Sequence, residues 1–250
     1  MENIYFISVV NNLKLYKKYI TDNAFVINSS GQIICFDNTR ENTPVSVLYN
    51  RFLDTYDYSK EAWFIFCHND WELLQDIRPV LADLDKGCIY GPVGAKNVYY
   101  NNGAMKLFCG SCCEEKRDGT GRRIIGLSSD KFKQADTLDC QCLIVHSSLV
   151  QKYNLRFDNH LSWHLYVEDF CIHAWLSHGI KSYATALRCC HHSDAGYAKM
   201  APAEYMENLE YLNKKYPNDS FAGVITYIGG KKLEKCSPQE IIRYKMAHRV

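Results

Sequence analysis

The chain has 250 residues, of which 47% are apolar and 23% are charged, and its net charge is +1. This composition is typical of a globular protein and gives no bulk electrostatic reason to expect nucleic acid as a partner. No apolar run approaches the roughly 18 residues that span a bilayer. The N-terminus has neither a basic segment nor a small-residue cleavage site, so we expect a cytoplasmic protein that could work at the inner face of a membrane.

Strands and helices are predicted to alternate over the first 90 residues. Residues 4–10 and 32–36 are rich in β-branched and aromatic side chains, which is typical of strands. Thr43-Pro44 predicts the start of a helix over residues 44–56. The apolar run 63–67 predicts a buried strand, a helix is expected over about 72–85, and a short strand follows at 88–90. This order predicts an α/β fold with a mostly parallel sheet flanked by helices.

The remaining chain is predicted to hold an irregular segment, two strands and several helices. Residues 97–136 are less regular and include a charged, glycine-bearing loop at 114–123. Strand character returns over 138–146 and 180–187, and helical spacing covers 166–178. The pattern is helical from Pro202 onward, and Ser237-Pro238 predicts a last basic helix. We expect a catalytic domain over residues 1–200 and a helical C-terminal extension, 201–250, packed on it.

Four polar clusters fall at predicted strand ends or helix starts, where ligands of α/β sheets bind. A sugar-nucleotide substrate would need a cation or basic groups to offset the charge of its diphosphate. Asp70, His68 and one of His191 or His192 could share that cation with phosphate oxygens and water. Magnesium or manganese would suit such a site better than a soft-ligand metal. The clusters are Asp37-Asn38, His68-Asn69-Asp70, Glu168-Asp169 and His191-His192.

An acceptor hydroxyl would need a carboxylate within hydrogen-bond reach to take its proton. Asp169, in the first turn of a predicted helix, is the best candidate. Glu168 is its neighbour on a different helix face. Asp37 could accept hydrogen bonds from a ribose or a base.

Several segments resemble motifs of family 2 glycosyltransferases of the GT-A fold, most closely those of the StrF-type branch. The resemblance covers roughly residues 4–197. It includes two departures, because His68 stands at the first acidic position of an Asp-x-Asp element and Val167 replaces the first Asp of Tyr-Asp-x-Asp. The matching segments are Phe66-Cys67-His68-Asn69-Asp70-Trp71, Gly91-Pro92-Val93-Gly94, Asp139-Cys140, Phe157-Asp158-Asn159, His164-Leu165-Tyr166-Val167-Glu168-Asp169 and His192-Ser193.

The resemblance implies transfer of a sugar, with inversion, from a nucleotide-diphosphate sugar to a hydroxyl of a glycan or lipid-linked acceptor. It implies bacterial surface polysaccharide synthesis as the setting. Asp70 would bind a divalent cation (Mn²⁺ or Mg²⁺) and the diphosphate, Asp169 would be the base, and His192 or His191 would be a late ligand. The nucleotide would lie near Val9, Asn11, Asp37 and Asn38, and the acceptor near Trp163, His164 and Tyr166.

Each of these residues also has a structural interpretation. Asp70 could cap a helix that begins near Trp71, and Glu168-Asp169 could be an ordinary acidic first turn. The two late histidines could be a hydrogen-bonded pair, of which only one would face a cleft. Asp37 could be a turn residue.

The cysteines and arginines leave further alternatives open. Cys109, Cys112, Cys140 and Cys142 could bind zinc, or they could be reduced, buried thiols. The basic loop that contains Arg117, Arg122 and Arg123 could be solvated or could close over a diphosphate. Two other function classes are a sugar-nucleotide nucleotidyltransferase and a zinc-stabilised interaction module. The first would want a glycine-rich loop after the first strand, and residues 11–14 lack glycine.

Overall fold

A computed structural model describes residues 2–100, 103–127, 132–194, 203–216 and 234–235. The strands are β1 (Asn3–Val10), β2 (Gln32–Asp37), β3 (Ala62–Cys67), β4 (Trp71–Leu73), β5 (Ile89–Gly91), β6 (Val93–Tyr100), β7 (Gly103–Glu115), β8 (Arg122–Leu127), β9 (Phe132–Ala135), β10 (Thr137–Leu138), β11 (Cys142–His146), β12 (Ser182–Thr185), β13 (Cys189–His192) and β14 (Glu234–Lys235). The helices are α1 (Leu13–Tyr16), which continues as a π-helical turn (Lys17–Thr21), α2 (Ala24–Asn28), α3 (Val45–Thr55), α4 (Arg78–Ala82), α5 (Ser147–Tyr153), α6 (Tyr166–His178) and α7 (Ala203–Lys215).

The central sheet has the strand order β2-β1-β3-β11-β5-β12-β9. β1 pairs parallel with both β2 and β3, and β12 pairs parallel with β5. The strand β11 is antiparallel to β3 and β5, and β9 is antiparallel to β12. The predicted α/β class is confirmed, with parallel pairing at the β1 end of the sheet and a mixed arrangement beyond it.

The continuous apolar run of β3 is explained by burial on both faces of this sheet. Phe64 and Phe66 pack into one apolar cluster with α3 and α6, whereas Trp63 and Ile65 pack into a second cluster on the other side. Strands covered on both faces lose the polar alternation of a half-exposed strand. The sheet therefore positions residues 68–70 at a rigid, buried strand end.

A second sheet has the order β10-β6-β7-β13-β4, with β8 on β7 and β14 on β6. It occupies much of the segment that was predicted to be irregular, and the connection between β7 and β8 is only residues 116–121. Glycines occur there because two neighbouring strands approach closely, and they interrupt the apolar alternation by which a strand is predicted from sequence. A Cβ on Gly126, whose φ is +82°, would lie 2.1 Å from the carbonyl oxygen of Gly110.

The helix predicted over about 72–85 is wrong in its first half. Residues 71–73 form β4, which pairs antiparallel with β13, and only Arg78–Ala82 is helical. Pairing with a distant strand overrides local helical spacing in so short a segment. The consequence matters for the site, because β4 places β13 beside Asp70.

The described part of the C-terminal region packs against α6. Asn208 of α7 donates to the carbonyl oxygen of His164 at 3.1 Å, and Tyr205 and Leu212 of the same helix are buried. The helix predicted from Ser237-Pro238 lies outside the described residues. Within the described ranges, no helix is both long and apolar enough to cross a membrane.

Candidate active site

The polar turn after β3 is held to the end of β1. The side-chain oxygen of Asn69 accepts hydrogen bonds from the backbone N–H groups of Asn11 (3.0 Å) and Asn12 (3.2 Å). The backbone N–H of His68 donates to Gln141 O at 3.0 Å. The two parallel strand ends and the loop before β11 are therefore fixed around one point.

His68, Asp70 and His191 converge at this point. His191 Nε2 lies 3.3 Å from Asp70 Oδ1 and 3.3 Å from His68 Nδ1. One ligand atom from each residue lies within 4.8 Å of the others. Two imidazoles and a carboxylate are nitrogen and oxygen donors that a divalent transition metal accepts. The set fits a divalent cation, and Mn²⁺ fits it better than Mg²⁺, which prefers all-oxygen ligands.

Tyr166 fixes the tautomer of His68. Its hydroxyl donates to the carbonyl oxygen of Cys140 at 3.1 Å and lies 2.9 Å from His68 Nε2. Because a carbonyl only accepts, the tyrosine proton is used there and His68 Nε2–H must donate to the tyrosine oxygen. His68 Nδ1 is left with its lone pair directed at the cluster, which is the form that binds a cation.

The protonation states of Asp70, His191 and His68 are set by burial and by the charges of their neighbours. Burial by itself would raise the pKa of Asp70, but hydrogen bonding with His191 and the nearby His68 and Arg117 hold it well below its usual range. For His191, burial by itself would lower the pKa, but the hydrogen bond to Asp70 and the charge of Asp70 raise it overall. Burial and the neighbouring His191 lower the pKa of His68 to about 4. Asp70 is therefore ionised and His68 neutral at physiological pH.

Arg117 brings the β7–β8 loop onto the cluster. Its Nη2 donates to Asp70 Oδ2 at 2.8 Å and its Nε donates to the carbonyl oxygen of His192 at 3.3 Å. The guanidinium is 44% exposed, while the Asp70 side chain is 5% exposed. The loop therefore contacts the cluster through Arg117, which places a positive charge at the solvent-facing edge of the cluster.

The strand β13 presents its two histidines to opposite sides. His191 faces Asp70, whereas the His192 ring stacks on Tyr19 with centroids 3.8 Å apart, and its Nε2 lies 2.8 Å from Glu72 Oε2. Successive strand residues point to opposite faces of a sheet. His191 is thus the histidine that can share a ligand with Asp70.

The two acidic residues at the start of α6 also lie in different surroundings. Asp169 accepts hydrogen bonds from Lys215 Nζ (2.8 and 3.0 Å) and from the Tyr216 hydroxyl (2.8 Å). Glu168 is 2% exposed, and its Oε2 has no hydrogen-bond partner among the described residues. Burial and the nearby Asp139 raise the pKa of Glu168 well above its usual range.

Glu168 borders the same polar region as the histidine cluster. Asp139, after β10, interacts electrostatically with Glu168 and also with His68 and His191. The hydroxyl of Tyr205, a further electrostatic neighbour of Glu168, is buried and also lacks a partner within the described ranges. Buried polar atoms without partners are rare, and an unseen water or substrate group is a usual explanation.

The residues predicted to bind the nucleotide lie along the ends of β1 and β2. Val9 is buried, and Asn11 is exposed at the end of β1. Asp37 Oδ1 accepts hydrogen bonds from the backbone (3.0 Å) and hydroxyl (2.7 Å) of Thr39, and Asn38 bonds the backbone of Thr43 at both its oxygen and its nitrogen. Asp37 and Asn38 therefore shape turns at this edge, and Asp37 remains open to solvent.

Of the three residues predicted to contact an acceptor, one is misplaced for that role. Tyr166 is fully buried and bonded to His68, so it has no free face on which a sugar could stack. Trp163 and His164 are half-buried on the segment before α6, and the His164 ring lies 5.8 Å from that of Tyr205.

The four cysteines predicted as a possible zinc site do not converge within the described ranges. Cys112 Sγ donates to Gln141 Oε1 at 2.9 Å and lies 3.6 Å from Cys189 Sγ, while Cys109 Sγ donates to Gln134 O at 3.4 Å. Cys142 is the first residue of β11, whereas Cys140 lies in the loop before this strand. The two cysteines therefore do not share one strand face.

No protein-family model matches the sequence. No curated protein matches it either. Among solved structures, GalNAc-T7 with UDP, GalNAc and Mn²⁺ superposes with a TM-score of 0.53 at 8% identity, covering 85% of this chain and 48% of that one. The chain thus spans about half the length of that protein. The fold is that of GT-A glycosyltransferases.

Two weaker structural matches are TarS residues 1–349 from S. aureus and A197 from STIV. TarS has a TM-score of 0.47 at 12% identity and covers 89% of this chain and 67% of its own. A197 has a TM-score of 0.42 at 13% identity, with coverage of 95% and 98%.

Sequence reasoning missed the connections among these groups. The sequence resemblance places Tyr166 near the acceptor and gives Asp139 no role beyond its motif. Arg117 was one of three equivalent arginines in a charged loop. Asp139 lies within the predicted strand 138–146, so its position in the sequence gives no signal of a site. No local pattern distinguishes Arg117 from Arg122 or Arg123.

Proposed function

We propose that this chain is a glycosyltransferase that moves a sugar from a nucleotide-diphosphate donor to an acceptor hydroxyl. The observation that carries the proposal is the convergence of His68, Asp70 and His191 at a strand end, with buried Glu168 on the same polar region. The shared fold supports it, since GalNAc-T7 of that fold binds UDP, GalNAc and Mn²⁺ in its structure.

The diphosphate would be held by the cluster around Asp70. A bound Mn²⁺ or Mg²⁺ would offset negative charge on the leaving diphosphate. The chain's own residues prepare this place: Tyr166 directs the lone pair of His68 inward, and Asp70 remains ionised beside His191. Arg117 lies at the exposed edge, and its guanidinium can exchange the hydrogen bond to Asp70 for one to a phosphate oxygen.

Glu168 is our choice for the base that receives the acceptor proton. Asp169 was favoured from the sequence, but its carboxylate is occupied by Lys215 and Tyr216. Glu168 Oε2 is unpaired among the described residues, and because the pKa of this carboxyl is raised, its ionised form is a stronger base for the acceptor proton. Attack by the acceptor opposite the leaving diphosphate would invert the anomeric centre.

The finer assignments follow the sequence resemblance. The donor nucleotide would lie near Val9, Asn11, Asp37 and Asn38. The acceptor, a glycan or lipid-linked glycan, would approach Trp163 and His164. A StrF-type family 2 enzyme of bacterial surface polysaccharide synthesis, working in the cytoplasm or at its membrane face, is the corresponding setting.

A thermal-shift screen of nucleotide sugars with and without Mn²⁺ tests the donor site. A ligand at about 100 times its Kd stabilises the folded state by about 2.7 kcal/mol, which is roughly 5–10 °C for a chain of this size. Asp70→Asn should abolish the response that requires Mn²⁺. Asp76→Asn is the matched control, because Asp76 pairs with Arg78 on the surface.

Two results would contradict the proposal. One is the absence of stabilisation by any nucleotide sugar. The other is an Asp70→Asn variant that still binds the donor with an unchanged response to Mn²⁺.

A further inference from the structure

The second sheet carries a face of metal-binding side chains behind the histidine cluster. Because side chains alternate along a strand, Cys113 and Glu115 of β7 share one face. In the parallel register, Cys190 of β13 lies opposite Cys113 and His192 lies opposite Glu115. On the other side of β13, Glu72 of β4 lies opposite Cys190.

Three of these side chains come close enough to share an ion. The sulfurs of Cys113 and Cys190 and a carboxylate oxygen of Glu115 lie within 4.8 Å of one another. In a tetrahedral zinc site with bonds of about 2.3 Å, two sulfurs lie roughly 3.8 Å apart. Small side-chain rotations therefore suffice to form the site. Cys113 and Cys190 are both buried, so they are shielded from competing solvent.

The charges balance around such an ion. Arg122 Nε donates to Cys113 Sγ at 3.0 Å, so a guanidinium charge lies beside this sulfur. Two thiolates and the Glu115 carboxylate carry three negative charges. A divalent ion and the guanidinium carry three positive charges, which offset those of the three ligands. Buried charges that are paired or that coordinate a metal are the ones that proteins accommodate.

We propose that Cys113, Cys190 and Glu115 form a zinc site that is separate from the His68–Asp70–His191 cluster. Thiolate ligands favour zinc over manganese or magnesium. The zinc fastens β13 to β7. It thereby holds the strand that supplies His191 against the strand that leads into the Arg117 loop. The site does not depend on the transfer activity proposed above.

A second pair of cysteines, on the opposite face of β7 and β13, serves as an internal control for the proposed zinc ligands. Cys112 and Cys189 are also neighbours, with sulfurs 3.6 Å apart. They lie in an apolar cluster, and Cys112 Sγ donates to the amide oxygen of Gln141 and to the carbonyl oxygen of Cys113 rather than to a carboxylate. This pair is suited to packing, and it provides control substitutions of the same residue type.

Metal analysis of the purified full-length chain tests the zinc site. Protein prepared with zinc and then dialysed should retain one zinc per chain that does not depend on Asp70. Cys113→Ser and Cys190→Ser should lose it, while Cys112→Ser, Cys189→Ser and Asp70→Asn should retain it. Zinc retained by both Cys113→Ser and Cys190→Ser, or lost only in Asp70→Asn, would overturn the assignment.

A second measurement does not depend on how the variants fold. Wild-type protein freed of zinc and titrated with Co²⁺ should develop thiolate-to-cobalt charge-transfer absorption that zinc then abolishes. Mass spectrometry after thiol alkylation should find Cys113 and Cys190 reduced. No charge-transfer band, or a Cys113–Cys190 disulfide in the freshly purified chain, would overturn the proposal.

Discussion

Replacing Glu168 with Gln separates catalysis from folding in this protein. The substitution keeps the shape of the side chain and removes its ability to take a proton. Since Glu168 Oε2 makes no hydrogen bond among the described residues, the amide forfeits no observed contact. Loss of a general base costs about 10²- to 10⁴-fold in rate. We expect kcat to fall by that factor, with little change in donor affinity and no loss of stability.

Asp169→Asn is the matched variant and should behave in the opposite way. Asp169 receives three short hydrogen bonds, two of them from Lys215, which keeps Asp158 as a second partner at 2.7 Å. Hydrogen bonds to charged groups contribute about 1.5–3 kcal/mol each and are not additive. A loss of about 2–4 kcal/mol is expected, which lowers Tm by roughly 5–15 °C.

The pH dependence of stability gives a further check on Glu168. Its pKa is raised in the folded state by burial and by Asp139. A carboxyl with a raised folded pKa favours folding at low pH, and that contribution is lost as pH rises through the folded pKa. The wild type should therefore lose stability relative to Glu168→Gln as pH rises from acid toward alkaline values.

Melting curves across pH and a transfer assay on both variants test the catalytic role of Glu168 and the stabilising role of Asp169. Full transfer activity in a folded Glu168→Gln protein would refute its role as the base. A fall in Tm for Glu168→Gln as large as that for Asp169→Asn would refute the claim that Glu168 Oε2 has no hydrogen-bond partner among the described residues.

Three other substitutions test the donor site. Tyr166→Phe frees the tautomer of His68 and should weaken cation affinity by about 10- to 100-fold, as measured by Mn²⁺ titration; unchanged affinity would contradict the orienting role. Arg117→Met should raise KM for the donor while the cation affinity is kept, and an unchanged KM would show that the guanidinium does not reach phosphate. Asn69→Ala leaves two backbone N–H groups of the Asn11 loop without a partner and should cost about 1–3 kcal/mol in chemical denaturation.

The elements with strong local patterns were predictable from the sequence. β1, β2 and β3 follow dense apolar runs, and α3 and α6 follow helical spacing with clear ends, including Gly179 with φ of +69° at the C-terminus of α6. The cluster at the end of β3 was also predictable, because strand ends collect ligand-binding groups in α/β folds.

Other features depended on partners far away in the chain. β4 is a strand because β13 pairs with it, and β7 and β8 form a hairpin across glycines that break the apolar pattern. The burial that raises the pKa of Glu168 and the ion pair that occupies Asp169 both arise from packing of α6 against sequence-distant segments.

The sequence by itself determined the α/β class and the polar residues available at the strand ends. Those are local properties, set by side-chain type and spacing. Only the tertiary structure decided that His191 rather than His192 faces Asp70, and that Asp169 is paired while Glu168 Oε2 has no hydrogen-bond partner among the described residues. Both outcomes follow from strand register and helix packing, which join residues more than 40 positions apart in the chain.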